Sequence, residues 1–252
     1  MRLRDQRVQT VVLGAVGIAL FLALWEAIGV NRLAGMTWPP FSTVMVFLFD
    51  PSRQGLFLRA MGASFAMAGM GYLLGTLIGM ALAGLVQIVP VLRPGVDRLS
   101  SVVNAIPAIA LAPLFIVLLD REYTGMAIAT LNVFFVLYVA TTSGLNNASA
   151  THRDLFSVLG ASPTTRFFRL DLPAALPAIA SGLKYAIPAA FIGAILGEWF
   201  GSSRGLGLLM VSAMQNFQIP LLWSAVFIAS AASLLVFGLM GLIERFVYGR
   251  YK

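Results

Sequence analysis

The chain has no cysteine among its 252 residues, which excludes a disulfide framework and a thiolate metal site. It has one histidine, His152, so a multi-histidine metal centre is excluded and a Ser-His-Asp arrangement within the apolar segments has no base. A P-loop needs a Gly-Lys pair to cradle nucleotide phosphates, and none occurs, so ATP hydrolysis is not expected from this chain. Charge is scarce as well. Only 11% of residues are charged against 59% hydrophobic, with a mean hydropathy of +0.89, too few to coat a water-soluble globule of this length. The composition places the chain in a bilayer.

What is present are long apolar runs. Residues 8–25, 60–92, 99–119, 123–151 and 205–243 carry no Asp, Glu, Lys or Arg, and a span needs about 20 apolar residues. Residues 176–200 make a sixth, interrupted by Lys184 near one end and Glu198 near the other, positions suited to side chains that reach the two interfaces. Six spans make an all-α integral membrane protein. The net charge of +7 and pI of about 10.4 would by themselves suit nucleic acid, but the basic residues lie in short loops beside apolar spans. With six spans, Arg2, Arg4, Arg7, Arg93, Arg98, Arg153, Arg166, Arg169, Lys184, Arg245, Arg250 and Lys252 fall on one side, twelve of seventeen. That bias predicts both termini and the loop at 153–177 in the cytoplasm. The basic start MRLRDQR followed by an apolar run resembles the front of a signal peptide, but no small-x-small cleavage site follows, so retention as a span is expected.

Several local patterns refine this. Pro39, Pro40 and Pro51 mark the segment 31–59 as a surface connector with a short helix near 43–49. Gly71, Gly75, Gly79 and Ala83 stack at four-residue spacing and predict a helix packing seam. Asn104, Pro107 and Pro113 interrupt the third span twice; this is either the wall of a wet pathway or a packing kink. Asn132 adds polarity to the fourth span, beside Thr130, Tyr138, Thr141 and Thr142. Glu26 and Glu198 stand near span ends, where interface anchoring competes with a role in the pathway. The glycine-rich string around Arg204 fits a loop at the outer mouth of a cavity.

The most informative segment is RDLFSVLGASPTTRFFRLDLPAALP, residues 153–177. Ser162 is expected to cap a helix whose first residue is Pro163. Leu172 precedes Pro173 and is expected to leave the α region, which limits that helix to roughly two to three turns. It carries Phe167 and Phe168 beside Arg166 and Arg169, a composition suited to docking a protein partner.

These strings together resemble the permease subunits of type I ABC importers, the binding-protein-dependent transport family. The family's loop signature, EAA-x3-G-x9-I-x-LP, is matched by Gly160, by Leu170 in place of isoleucine, and by Leu172 with Pro173. Asp154, Leu155 and Phe156 stand where Glu-Ala-Ala is expected, which keeps the acid and enlarges two small residues. WEAIG at 25–29, WPPFSTV at 38–44, AIPAIALAPLFIV at 105–117, LGAS at 159–162, LPAALPAIASGLK at 172–184 and GEWFGSSRGLG at 197–207 are similar to the branch handling nitrate, sulfonates, taurine and pyrimidine or riboflavin-type vitamins.

The resemblance implies a bacterial inner-membrane chain divided into an N-terminal helix and connector (1–59), a permease core (60–247) and a cytoplasmic tail (248–252). It implies a homodimer of permeases, two ATPase subunits that hold the ATP and Mg, and an extracytoplasmic solute-binding protein. No cofactor is expected on this chain, and the only other ligand implied is membrane lipid. Asp154, Gly160, Ala161, Ser162, Pro163, Arg166, Phe167, Leu172 and Pro173 would form the ATPase-coupling loop, its helix at 160–171. Asn104, Pro107, Asn132 and Glu198 are candidates for the translocation pathway. A secondary transporter or channel is the competing expectation, and it would leave the 153–177 loop without a purpose.

Overall fold

A computed structural model describes residues 2–251 of the chain. Met1 and Lys252 lie outside the described residues, as do the side chains of Arg2, Arg4 and Arg7 that enter the charge bias. The elements are all helical: α1 (Arg2–Val30), α2 (Phe41–Leu48), α3 (Gln54–Ile88), α4 (Arg93–Ala105), α5 (Ala108–Leu118) and α6 (Thr124–Leu145). They continue with α7 (Ala150–Val158), α8 (Pro163–Arg166), α9 (Leu172–Gly201), α10 (Leu206–Gln215) and α11 (Ile219–Tyr251). Five helical runs among the described residues are long and apolar enough to cross a bilayer, and α4 with α5 makes a sixth if the bent pair counts as one span.

The contacts divide the chain into two compact units. The smaller comprises Met1–Leu58 and Leu209–Phe227. Its centre is aromatic. Trp25, Trp38 and Trp223 stand with ring centroids 4.8–5.5 Å apart, and the indole N–H groups of Trp25 and Trp223 donate to the carbonyls of Pro39 and Thr37, each at 3.0 Å. Indoles combine a large apolar face with one donor, so they can pack and pin the connector at once. Glu26 accepts the Ser42 amide at 2.9 Å and its hydroxyl at 2.6 Å, which satisfies a free donor in the first turn of α2.

The larger unit comprises Arg59–Leu208 and Ile228–Lys252. Here α3, α6 and α9 pack on one another. Gly71, Gly75 and Gly79 of α3 meet α6 so closely that an added Cβ would reach 2.6 Å from the Thr130 carbonyl at Gly75 and 2.8 Å from the Phe134 carbonyl at Gly79. The glycine stripe is thus an intramolecular seam. Gly193 and Gly197 of α9 in turn press against Ala129 and Gly125 of α6. Lipid gives no hydrophobic drive for such pairing, so small residues that admit close van der Waals contact supply it. Val133, Leu137, Ala190 and Phe191 fill the space between, with Phe65 edge-on to Phe191 at 5.1 Å.

Four expectations change. Span three has one break, not two: Ile106 is extended before Pro107 and α4 meets α5 at 96°, whereas Pro113 sits inside continuous α5. The 205–243 run is divided at 216–218, where Phe217 takes a φ of +53°. The helix expected at 160–171 begins at Pro163 and does not stop before Pro173. Leu172 is helical (φ −66°, ψ −48°), because a π-turn over Phe167–Asp171 widens the backbone where Pro173 removes a donor. Helical backbone therefore runs from Pro163 to Gly201. Lys184 and Glu198 do not stand free at the ends of their span; both turn toward neighbouring helices, as described below.

Candidate functional site

The 150–173 segment forms two short helices and a corner. Ser149 caps α7 by accepting the His152 amide at 3.3 Å. Gly160 ends it: with φ +65° it donates to Ser157, while Ala161 donates to Phe156, each at 3.0 Å. This pair of bonds is a Schellman motif and needs a left-handed residue at that position, so the signature glycine is a helix terminator lying ahead of α8. Ser162 then caps α8, accepting the Thr165 amide at 3.2 Å, with Pro163 at the first helical position as expected.

The two phenylalanines face opposite ways. Phe168 is 62% exposed, as are Leu155, Val158 and Leu159 to comparable or greater degree, and with exposed Asp154 and Arg169 they make an apolar surface with charged neighbours. Phe167 turns inward, where the missing side chain of Gly84 leaves room for its ring. It lines a cavity of about 580 Å³ with Leu172, Leu145, Ile179, Thr141 and Met80.

Behind this corner lies a polar relay whose members stand far apart along the chain. Asp171, fully buried, closes the π-turn. Its Oδ2 accepts from Gln87 Nε2 at 3.0 Å and pairs with Arg166 Nε at 3.4 Å. Gln87, in the last turn of α3, accepts in turn from Arg93 Nη2 at 3.2 Å. Arg93 opens α4, and Asp97 on the same helix accepts the Tyr138 hydroxyl of α6 at 2.5 Å.

The break at the far end of α4 has its own cavity, about 190 Å³, lined by Asn104, Pro107 and Asn132 with Val103, Ile106 and Leu111. Asn132 Nδ2 donates to the Ala189 carbonyl of α9 at 3.4 Å. Three of the four pathway candidates thus share one half-polar recess. Glu198 is absent from it. It is fully buried and accepts the Gly207 amide at 2.7 Å and the Ser64 hydroxyl at 2.9 Å; Ser64 accepts the Leu206 amide at 2.8 Å. These are the orphan amides of the first turn of α10. Gly205, at φ +130°, passes so close that any Cβ there would overlap the carboxyl of Glu198. Lys184 Nζ meets Glu244 Oε2 at 2.8 Å, and Ser181 donates to the other oxygen at 2.7 Å.

Multi-span helices, a helical corner at residues 150–173 and a broken span beside a polar recess fit one class, a helical permease of the ABC importer type. The chain belongs to the family described as binding-protein-dependent transport system inner membrane component, whose model matches residues 71–248. A probable ABC transporter permease protein of Haemophilus influenzae is 38% identical over 185 residues, covering 71% of this chain and 74% of that relative. The formylaminopyrimidine transport permease protein of Halalkalibacterium halodurans is 30% identical, covering 89% and 90%. A putative aliphatic sulfonates transport permease protein of Bacillus subtilis is 26% identical over 90% of this chain and 83% of its own length. In fold, the chain resembles a subunit in an inward-facing structure of the MetNI methionine ABC transporter, with a TM-score of 0.71 at 16% identity, over 79% of this chain and 99% of that one. The chain is a transmembrane permease subunit of an ABC importer and works with a separate ATPase.

Proposed function

We propose that this subunit imports a small polar or anionic solute of the sulfonate, nitrate or vitamin-precursor kind, with the 153–173 loop as the ATPase contact. The relatives named for formylaminopyrimidine and aliphatic sulfonates support that solute class. Two copies of the chain enclose the pathway, an ATPase dimer docks on the cytoplasmic side where both termini also lie, and a solute-binding protein docks opposite. Asp154, Gly160, Ala161, Ser162, Pro163, Arg166, Phe167, Leu172 and Pro173 form and support the docking corner. Asn104, Pro107 and Asn132 line the route. Glu198 serves it indirectly by holding the start of α10.

One observation carries the reading: the helical run from Pro163 to Gly201 joins the docking corner to the carbonyl of Ala189 that holds Asn132. A displacement at the corner is therefore delivered to the recess along one continuous helical element, which holds Pro177 and Pro188 within it, and packed helices that shift against one another switch between states in this way. ATP binds the partner, so coupling requires the docked corner to differ in position between the two states.

The test is reconstitution. Proteoliposomes holding the chain with its co-purified ATPase and binding protein should accumulate one member of a panel of formylaminopyrimidine, alkanesulfonate, taurine and nitrate when ATP is supplied. Uphill uptake by the chain alone would overturn the reading in favour of a secondary transporter.

A further inference from the structure

We propose that Gln87 is a positioning residue that fastens the α8–α9 corner to the start of α4, so that movement of the docked corner reaches the break at Pro107 through α4 as well as along α9. The proposal rests on the reading above that this corner meets the ATPase. Gln87 is 8% exposed and stands between two groups of opposite character. Asp171 only accepts and Arg93 only donates, so the amide must present Nε2 to the first and Oε1 to the second. Neither glutamate, which lacks the donor, nor leucine, which lacks both, can replace it.

The burial of Asp171 makes the tie persistent. A carboxylate with no exposed surface cannot leave Gln87 and Arg166 without stranding its charge in an apolar surround, and one of its oxygens already has no partner. The corner, the end of α3 and the start of α4 are therefore expected to move together. α4 is a 13-residue helix, about 20 Å long, with Arg93 at one end and the Asn104–Pro107 recess at the other. The bond from the Tyr138 hydroxyl to Asp97 lies only one turn beyond Arg93, and near the far end Val103 packs on the α6 side without a polar tie of its own.

Because the chain holds no native cysteine, Ile106→Cys gives a clean single-site reporter at the break. In the complex with its co-purified ATPase, labelling by a sulfonate methanethiosulfonate reagent is compared with and without ATP-vanadate, and ATP hydrolysis is read on the same preparation. The nucleotide should change the labelling rate on the order of tenfold in the otherwise unaltered chain, a typical coupling size. Gln87→Leu should flatten that response while hydrolysis continues, and Asp171→Asn, which still offers Gln87 an acceptor oxygen, should keep most of it. If Gln87→Leu fails to assemble, Arg93→Met removes the outer half of the tie and is expected to flatten the response in its place. A full response in an assembled Gln87→Leu or Arg93→Met complex overturns the tie alone. A reporter indifferent to nucleotide in the unaltered chain overturns the tie and the pathway reading together.

Discussion

Glu198 caps a helix that starts beyond it in sequence, its carboxylate accepting the Gly207 amide at 2.7 Å while Ser64 bridges the same carboxylate to Leu206. Glu198→Ala removes the one oxygen that accepts both the Gly207 amide and the Ser64 hydroxyl in a fully buried place and should destabilise the protein by about 1–3 kcal/mol. Glu198→Gln keeps a carbonyl oxygen in position and should lie within about 1 kcal/mol of the natural chain. Gly205→Ala should be at least as damaging as Glu198→Ala, since it meets both a φ of +130° and the carboxyl itself. Thermal unfolding in detergent orders the three.

Gly160 is held left-handed at the end of α7. Alanine there should cost about 1–2 kcal/mol, all of it spent at the corner that carries the docking surface. Gly160→Asn tolerates that backbone better. The measurement is the amount of ATPase that co-purifies: reduced with alanine, largely retained with asparagine, and unchanged by either if the corner is not the contact.

The features that could be read in advance were those written over a few residues. The apolar runs, the glycine stripe at 71, 75 and 79, and the Ser162–Pro163 helix start all depend on neighbours within a turn or two of helix. Leu172 went the other way for a local reason that the proline rule does not contain: a π-turn absorbs the missing donor of Pro173 and keeps the chain helical. Glu198 and Asp171 lay beyond sequence reasoning because their partners do. Ser64 is 134 positions from Glu198 and Gln87 is 84 from Asp171, so no periodicity could pair them. An acid set directly between Leu170 and Leu172 was the one available hint.

The α3–α6 seam supplies a paired test. At Gly75 an added Cβ would reach 2.6 Å from the Thr130 carbonyl and 2.7 Å from Val133, whereas at Gly69 nothing lies within 4 Å. Gly75→Ala should lower the yield of folded protein, and Gly75→Leu should abolish it, by forcing the helices apart. Gly69→Ala should be neutral or gain up to about 1 kcal/mol from helix propensity. Equal behaviour at the two positions would remove the seam from the account of how these helices pair.

The recess at the bent span is tested without knowledge of the solute. Asn104→Cys and Asn132→Cys should react with a charged, membrane-impermeant thiol reagent in the assembled complex, since their side chains line a half-polar cavity. Leu234→Cys, exposed on α11 among apolar neighbours, should resist the same reagent because lipid excludes the anion. Protection of both asparagine positions would place them away from water and favour the packing-kink alternative for Pro107.

Lys184 and Glu244 join α9 to α11 at 2.8 Å, with side chains only 19% and 17% exposed and the lysine 4.7 Å from the Phe237 ring centroid. Removing one partner leaves the other charge in an apolar surround, so Lys184→Met or Glu244→Leu alone should cost about 2–4 kcal/mol. Removing both should cost much less than the sum, because desolvation of the pair offsets most of its attraction and only the Ser181 bond is lost besides. A double-mutant cycle on detergent melting temperatures reads the coupling. An additive result would mean that the two side chains act independently, each satisfied by its own surroundings.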